Sequence, residues 1–287
     1  MQGWKEKLLS QAGKEIMIKV VVQSIPTYSI SVFCLPIGLL KDIEPMIRKF
    51  WWDCSENSRK IHWVQWETLC SSKSVGGMGF RDLRMFNDAM LGKKVWRLFH
   101  DRNSLVYKVF RAKYFQSSNI FDAKESSRCS YAWCSILQAR EGVLKGARWR
   151  VGDGKDISIW QHRWLPSAGG GYVLSLQWDQ SLQVVSDLFL PGSKRWNEEL
   201  IDLYFYPWEA KVIKGIPISQ FVNLDTLIWP LSSDDIYSVW SAYRLFVELS
   251  RQNLPSPSYV ELGKGLWHGI WKLRVPQKVR HFLWRAV

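Results

Sequence analysis

Apolar positions recur at helical spacing along most of this chain. In 13–25, Ile16, Met17, Val20 and Val21 share one side of a predicted helix, and Pro26 closes the run. Past Pro36, Leu39, Leu40, Ile43, Met46, Ile47 and Phe50 predict a second amphipathic helix entering Trp51 and Trp52. The polar stretch 55–60 reads as a loop, and aromatic 61–69 fits a strand or a helix. Gly76, Gly77 and Gly79 mark a tight turn. Asp82 then caps a helix through Phe99, whose apolar side is Leu83, Phe86, Met90, Leu91, Val95 and Leu98.

Further helices are predicted over 105–114, 131–144 and 237–249, and two short amphipathic pieces flank Pro276. Around the middle the period changes. RWRV at 148–151, the turn GDGKD and ISIW at 157–160 predict a β-hairpin. Gly169–Gly171 and 250–258 read as linkers. The pattern is that of a mostly α (α+β) protein: a helical bundle, a small β-hairpin and a helical C-terminal fragment.

Residues 20–40 are uncharged and long enough to span a bilayer. They also contain Pro26, Pro36 and several hydroxyl side chains, which favours two buried elements over a membrane span. No membrane partner is expected, and the N-terminus lacks the apolar core of a secretory signal. Five cysteines, an odd number without a CxxC pair, suit buried free thiols inside the cell, nuclear or cytoplasmic.

Charge changes the picture more. The formal net charge is +13 in 287 residues, and it is concentrated: 1–150 holds 25 basic and 13 acidic residues, the remainder 14 and 13. A basic half beside a near-neutral half points to a polyanion, most simply nucleic acid. Cations on predicted helices suit a phosphate backbone, which needs charge and position but no base readout. The candidates are Lys14, Lys19, Arg81, Arg84, Lys93, Lys94, Arg97, Lys108, Arg111 and Lys113. Trp96, Tyr107, Tyr114 and Phe115 lie among them; base stacking is open to such rings, and packing is the expected role of most of them.

Catalytic and metal patterns do not assemble. Cys129 and Cys134 have no neighbouring His, and Cys54, His62 and Cys70 are too widely spaced for a zinc knuckle. His62, His100 and His162 stand alone in sequence. Asp234-Asp235 follows two serines and reads as negative charge at the start of the 237–249 helix. The glycine run matches neither GxxxxGK[ST] nor GxGxxG, and no GxSxG is present. The expectation is a chain with no enzymatic activity, cofactor, metal or small-molecule substrate.

The ordered segments LLSQAGKEIMIKVVVQSIPTYSISVFCLP, FWW, IHWVQWETLC, GGMGFRDLRMFNDAMLGKKVWRL, KYF and RWRVGDGKDISIWQHRWLP closely resemble plant LINE-type (non-LTR) retrotransposon reverse transcriptases, in the region after the palm. YSVWSAYRL and WHGIWKLRVPQKVRHFLWRA resemble the opening of that family's zinc-binding domain. The resemblance implies three regions: a thumb over 1–100 that holds template–primer duplex, a connecting region over 101–232, and the start of a zinc-binding domain over 233–287. It places the catalytic Asp residues before Met1 and the Cys/His ligands after Val287. It also implies Asp where His162 stands. The expected function is non-specific RNA–DNA or DNA backbone binding without polymerase chemistry. The other expectation is a relic reading frame with no selected activity.

Overall fold

The computed structural model describes residues 9–24, 26–52, 64–116, 118–125, 129–166, 170–218, 223–252 and 260–287. Its fold is mostly α, as the periodicity predicts. Among the described residues, twelve α-helices accompany one two-stranded sheet. The chain divides into two units, one from Met1–Arg140 with Tyr243–Val287 and one from Glu141–Ala242. These cuts fall elsewhere than the three regions of the resemblance, because the last two helices pack with the N-terminal ones.

In the first unit, α1 (Gln11–Met17) starts where Ser10 Oγ accepts the Gly13 N–H at 3.3 Å, and continues as a π-turn over Ile18–Val22. Its buried face is not the predicted one. Ile16 and Val20 are 61% and 65% exposed, whereas Lys14, Glu15, Ile18 and Gln23 are buried. The reversal has a physical reason: the inward charges meet partners, described below.

A short turn, α2 (Thr27–Ile30), leads to α3 (Ile37–Trp51), which buries Leu40, Ile47 and Trp51. The short α4 (Trp66–Leu69) resolves part of the ambiguous 61–69 as helix, while 61–63 and the predicted loop 55–60 lie outside the described residues. The longest helix among the described residues is α5 (Leu83–His100). Asp82 caps it as predicted, accepting the Arg84 and Met85 N–H groups at 2.9 and 3.0 Å. Leu83, Leu91, Val95 and Leu98 form its inward stripe. Asn87 lies in the same stripe, donating to Ile30 O and Phe33 O and accepting from the Leu35 N–H, so the turn after α2 is hydrogen-bonded within the core.

Helices α6 (Leu105–Tyr114) and α7 (Tyr131–Gly146) follow. In the C-terminal part, α11 (Val260–Lys272) and α12 (Gln277–Ala286) meet the glycine turn. Gly76 has φ +87°, and a Cβ there would sit 2.9 Å from the Trp267 ring. Its carbonyl accepts the Trp284 indole N–H at 2.7 Å. Only glycine permits that backbone conformation and that approach together. The glycine run is therefore a packing device in the core of Trp51, Trp66, Phe80 and Trp284.

In the second unit, β1 (Arg148–Arg150) corrects the hairpin expectation. It pairs antiparallel with β2 (Thr226–Ile228), Trp149 opposite Leu227, and not with 157–160. The cause is Asp225. Its carboxylate accepts the N–H groups of Gly152, Gly154 and Asp156 at 2.7, 3.0 and 2.9 Å, curling GDGKD around itself. Residues 157–160 are carried to the 183–185 segment instead, through Ile159 N–H to Gln183 O and Val185 N–H to Ile157 O.

The Gly169–Gly171 linker expectation is also corrected where the chain is described. Gly171 O accepts the Trp164 and Leu165 N–H groups, so this glycine belongs to a turn inside the unit. Helices α8 (Glu198–Tyr204) and α9 (Pro207–Lys214) close the core of Ile157, Ile159, Trp164, Val185, Ile201 and Ile213. Helix α10 (Val239–Gln252) starts two residues later than the expected 237 and runs past 249, taking in 250–252; most of the second predicted linker lies outside the described residues. No helix among the described residues is long and apolar enough to cross a membrane.

Candidate nucleic-acid interface

The ten sequence-selected cations fall into three environments. Lys14 is only 1% exposed, with its ammonium 5.5 Å from the Phe50 ring centre. It is buried structure and not a surface contact, which corrects its selection. Lys19 is likewise committed: its ammonium lies 2.6 Å from Glu15. Burial pushes its pKa down, against the pull of that carboxylate.

Arg81, Lys93 and Lys94 are half-buried, and the Arg81 guanidinium lies over the Phe86 ring at 4.8 Å. Arg84, Arg97, Lys108, Arg111 and Lys113 are exposed. Arg84 stands about 220° around α5 from Arg97 at 100° per residue, so those two face apart. Lys93 and Arg97 are four apart and share a side.

Exposed and half-buried cations together form a sequence-continuous series. From Lys93 to Lys113 there are seven basic residues and one acid, Asp101. They occupy the last two turns of α5, the turn at 101–104 and all of α6. Arg102 is exposed in that turn, outside the predicted helices that carry the sequence-selected cations. Its signal is position, an arginine between two cationic helices. Ser104 caps α6 by accepting the Tyr107 N–H at 3.3 Å, fixing where the second set of cations begins.

The aromatic candidates are mostly occupied by packing. Trp96 and Phe115 are buried, and Tyr114 stacks on Trp133 with centroids 4.7 Å apart. Tyr107 is half-buried, 6.0 Å below the Arg111 guanidinium. Packing thus occupies most of these rings, as expected for them.

Other titratable groups have structural partners. His100 Nδ1 meets Trp96 O at 3.1 Å, and His162 Nδ1 accepts the Ser158 N–H at 2.9 Å. His62 lies outside the described residues. Asp235 is not a helix-terminal charge: it adopts φ +56° in the preceding turn and pairs with Arg150, while Ser238 Oγ accepts the Ser241 N–H near the start of α10. Cys129 and Cys134 are joined in a disulfide, which corrects the expectation of free thiols there. The chain folds back as it enters α7 and brings their Cα atoms within 6.2 Å. Cys34 and Cys70 are free, and burial pushes both thiols up. Among the described residues, no group of three or more His, Cys, Asp or Glu is placed to hold a metal ion.

Similarity to known proteins now bears on the reading. Over 143 residues, half of this chain, it is 40% identical to an Arabidopsis thaliana protein named "uncharacterized mitochondrial protein", and covers 93% of it. The chain belongs to the same family as that protein. A second Arabidopsis thaliana protein, named "putative ribonuclease H protein", is 33% identical over 294 residues. That match takes in 99% of this chain and 46% of the relative, so the chain spans about half of the larger protein. No protein-family model matches the chain, and no solved structure does.

Proposed function

We propose that this chain is a retrotransposon-derived polypeptide of the LINE type that holds nucleic-acid backbones and carries out no polymerase chemistry of its own. The observation that carries the reading is the cationic series from Lys93 to Lys113, borne on two capped helices and the turn between them, with Arg97, Arg102, Lys108, Arg111 and Lys113 exposed. Rigid helices hold these charges in place, which suits contact with phosphates and gives no base readout. The ordered motif series supports the retrotransposon origin. The ribonuclease H name of the larger relative makes an RNA–DNA hybrid the first polyanion to test.

The absence of polymerase chemistry is supported by the adjacent acidic pair. Asp235 is held by Arg150, and its backbone carbonyl accepts the Trp229 N–H at 2.8 Å. That carboxylate is engaged in a turn by Arg150.

The test is a binding titration of an RNA–DNA hybrid duplex across salt concentrations. Five phosphate contacts predict a slope of log affinity on log salt of about −4.5. A flat salt dependence, or no binding at low salt, would refute the proposal.

A further inference from the structure

Helix α6 carries three of the exposed cations, yet none of its residues is fully buried. Its hold on the first unit comes from rings and one hydroxyl. Trp133, fully buried in the first turn of α7, has its ring 4.7 Å from Tyr114, 5.3 Å from Phe110 and 5.4 Å from Phe115. Beside it, Ser130 donates its N–H to the Tyr114 oxygen at 3.2 Å, and the Tyr114 hydroxyl donates to Ser130 Oγ at 3.0 Å. The same Ser130 Oγ accepts the Trp133 N–H at 3.3 Å.

Ser130 and Trp133, the two residues that receive α6, both lie between Cys129 and Cys134, the cysteines joined by the disulfide. The bond therefore closes the six-residue segment that presents Ser130 and Trp133 to α6. The same turn serves a second neighbour: Tyr131 Oη donates to Cys34 O, and the Cys34 N–H donates to Ser135 Oγ at 2.9 Å. Both disulfide cysteines are half-buried, not sealed in the core, so a small thiol is able to reach them.

We propose that Cys129–Cys134 is a redox-reversible clasp that fixes the anchor of α6 and so sets how firmly its cations are held. Opening needs a dithiol reductant. One of its thiolates attacks a cystine sulfur, the S–S bond breaks, and one Cys leaves as thiolate and takes a proton. The second reductant thiol then displaces the other Cys, leaving two protein thiols and an oxidised cyclic reductant. Two electrons and two protons pass from the dithiol to the protein. With the ring opened, residues 129–134 gain backbone freedom, and the Ser130 and Trp133 contacts to Tyr114 loosen.

The experiment is native-state hydrogen exchange on the full chain, oxidised with glutathione disulfide or reduced with dithiothreitol, with mass analysis of the 129–134 peptide. The expected result is a linked peptide in the oxidised protein and exchange of the 109–115 amides at least tenfold faster on reduction, with the 87–98 amides of α5 unchanged. The C129S/C134S variant should exchange at the reduced rate and ignore dithiothreitol, whereas C70S should respond as the parent chain does. Absence of the linked peptide would overturn the clasp. So would equal α6 exchange in both states, or loss of α5 protection together with α6. Because exchange is read without nucleic acid, its outcome is separate from that of the binding proposal.

Discussion

Glu15 and His281, 266 positions apart, meet at 2.8 Å in the interior of the first unit. The same carboxylate lies 2.6 Å from Lys19 and 2.7 Å from Lys73, while His281 Nδ1 faces Gln277 O at 2.8 Å. Both nitrogens of a ring that is 1% exposed therefore point at oxygen acceptors, and one acid ties α1, the glycine turn and α12 together. Burial alone would raise the Glu15 pKa, but the bonds from His281, Lys19 and Lys73 hold it well below the usual carboxylate range.

The Glu15→Gln variant should accordingly lose about 2–3 kcal/mol, because it leaves the partly solvated Lys19 and Lys73 and the buried His281 ring without the carboxylate that they bind. A depressed carboxylate contributes stability that is present above its unfolded pKa and lost as pH falls through the folded value. The gap between parent and variant should be full at pH 7 and narrow progressively below about pH 4.5. Urea unfolding of both proteins at pH 7, 4 and 3 checks this; a gap independent of pH would contradict it.

Tyr243 Oη accepts the Asp82 N–H at 3.0 Å, just ahead of the cap of α5, and burial pushes its pKa up to about 12. The Tyr243→Phe variant should cost about 1–2 kcal/mol by leaving that N–H unpaired. The Asp82→Ala variant should cost about 1 kcal/mol through the lost cap. Since both act on the same helix terminus, a double-mutant cycle in denaturant should show coupling and not simple addition.

Two glycines should respond oppositely to alanine. A Cβ on Gly77 would lie 2.1 Å from Ser71 O, so Gly77→Ala should prevent the glycine turn from closing and lower the melting temperature sharply. Gly38, in the first turn of α3, has open space around its would-be Cβ, and Gly38→Ala should be neutral to stabilising by up to about 1 kcal/mol. Thermal unfolding of the two variants is sufficient to check both directions.

In the second unit, Asp225→Asn should loosen the 152–156 turn, because an amide cannot accept all three N–H groups that the carboxylate holds. The expected loss is about 2–3 kcal/mol, read as accelerated exchange of the Gly152, Gly154 and Asp156 amides. Unchanged protection there would contradict the role given to Asp225.

Local signals carried most of the helical reading. Asp82 with its apolar stripe was legible as α5 because the cap and the period both reside within 18 residues. The strand partner was not legible, because the turn chemistry of GDGKD is satisfied by Asp225, some 70 residues away. The face of α1 was misread for a related reason. Lys14 and Glu15 are inward because distant cations and rings receive them, and no window around residue 15 contains Lys73 or His281. In the candidate interface, Arg97, Lys108, Arg111 and Lys113 were readable from charge on helices, whereas Arg102 depended on seeing an exposed turn between them.

The most direct measurement of the central claim is charge reversal along the exposed part of that cationic series. Arg97, Arg102, Lys108, Arg111 and Lys113 would be replaced together by Glu, with circular dichroism confirming retained helix, and binding to an RNA–DNA hybrid measured from 50 to 200 mM salt. The account predicts steep salt dependence for the parent chain and loss of both affinity and slope in the variant. Equal affinity and slope in the two proteins would contradict it.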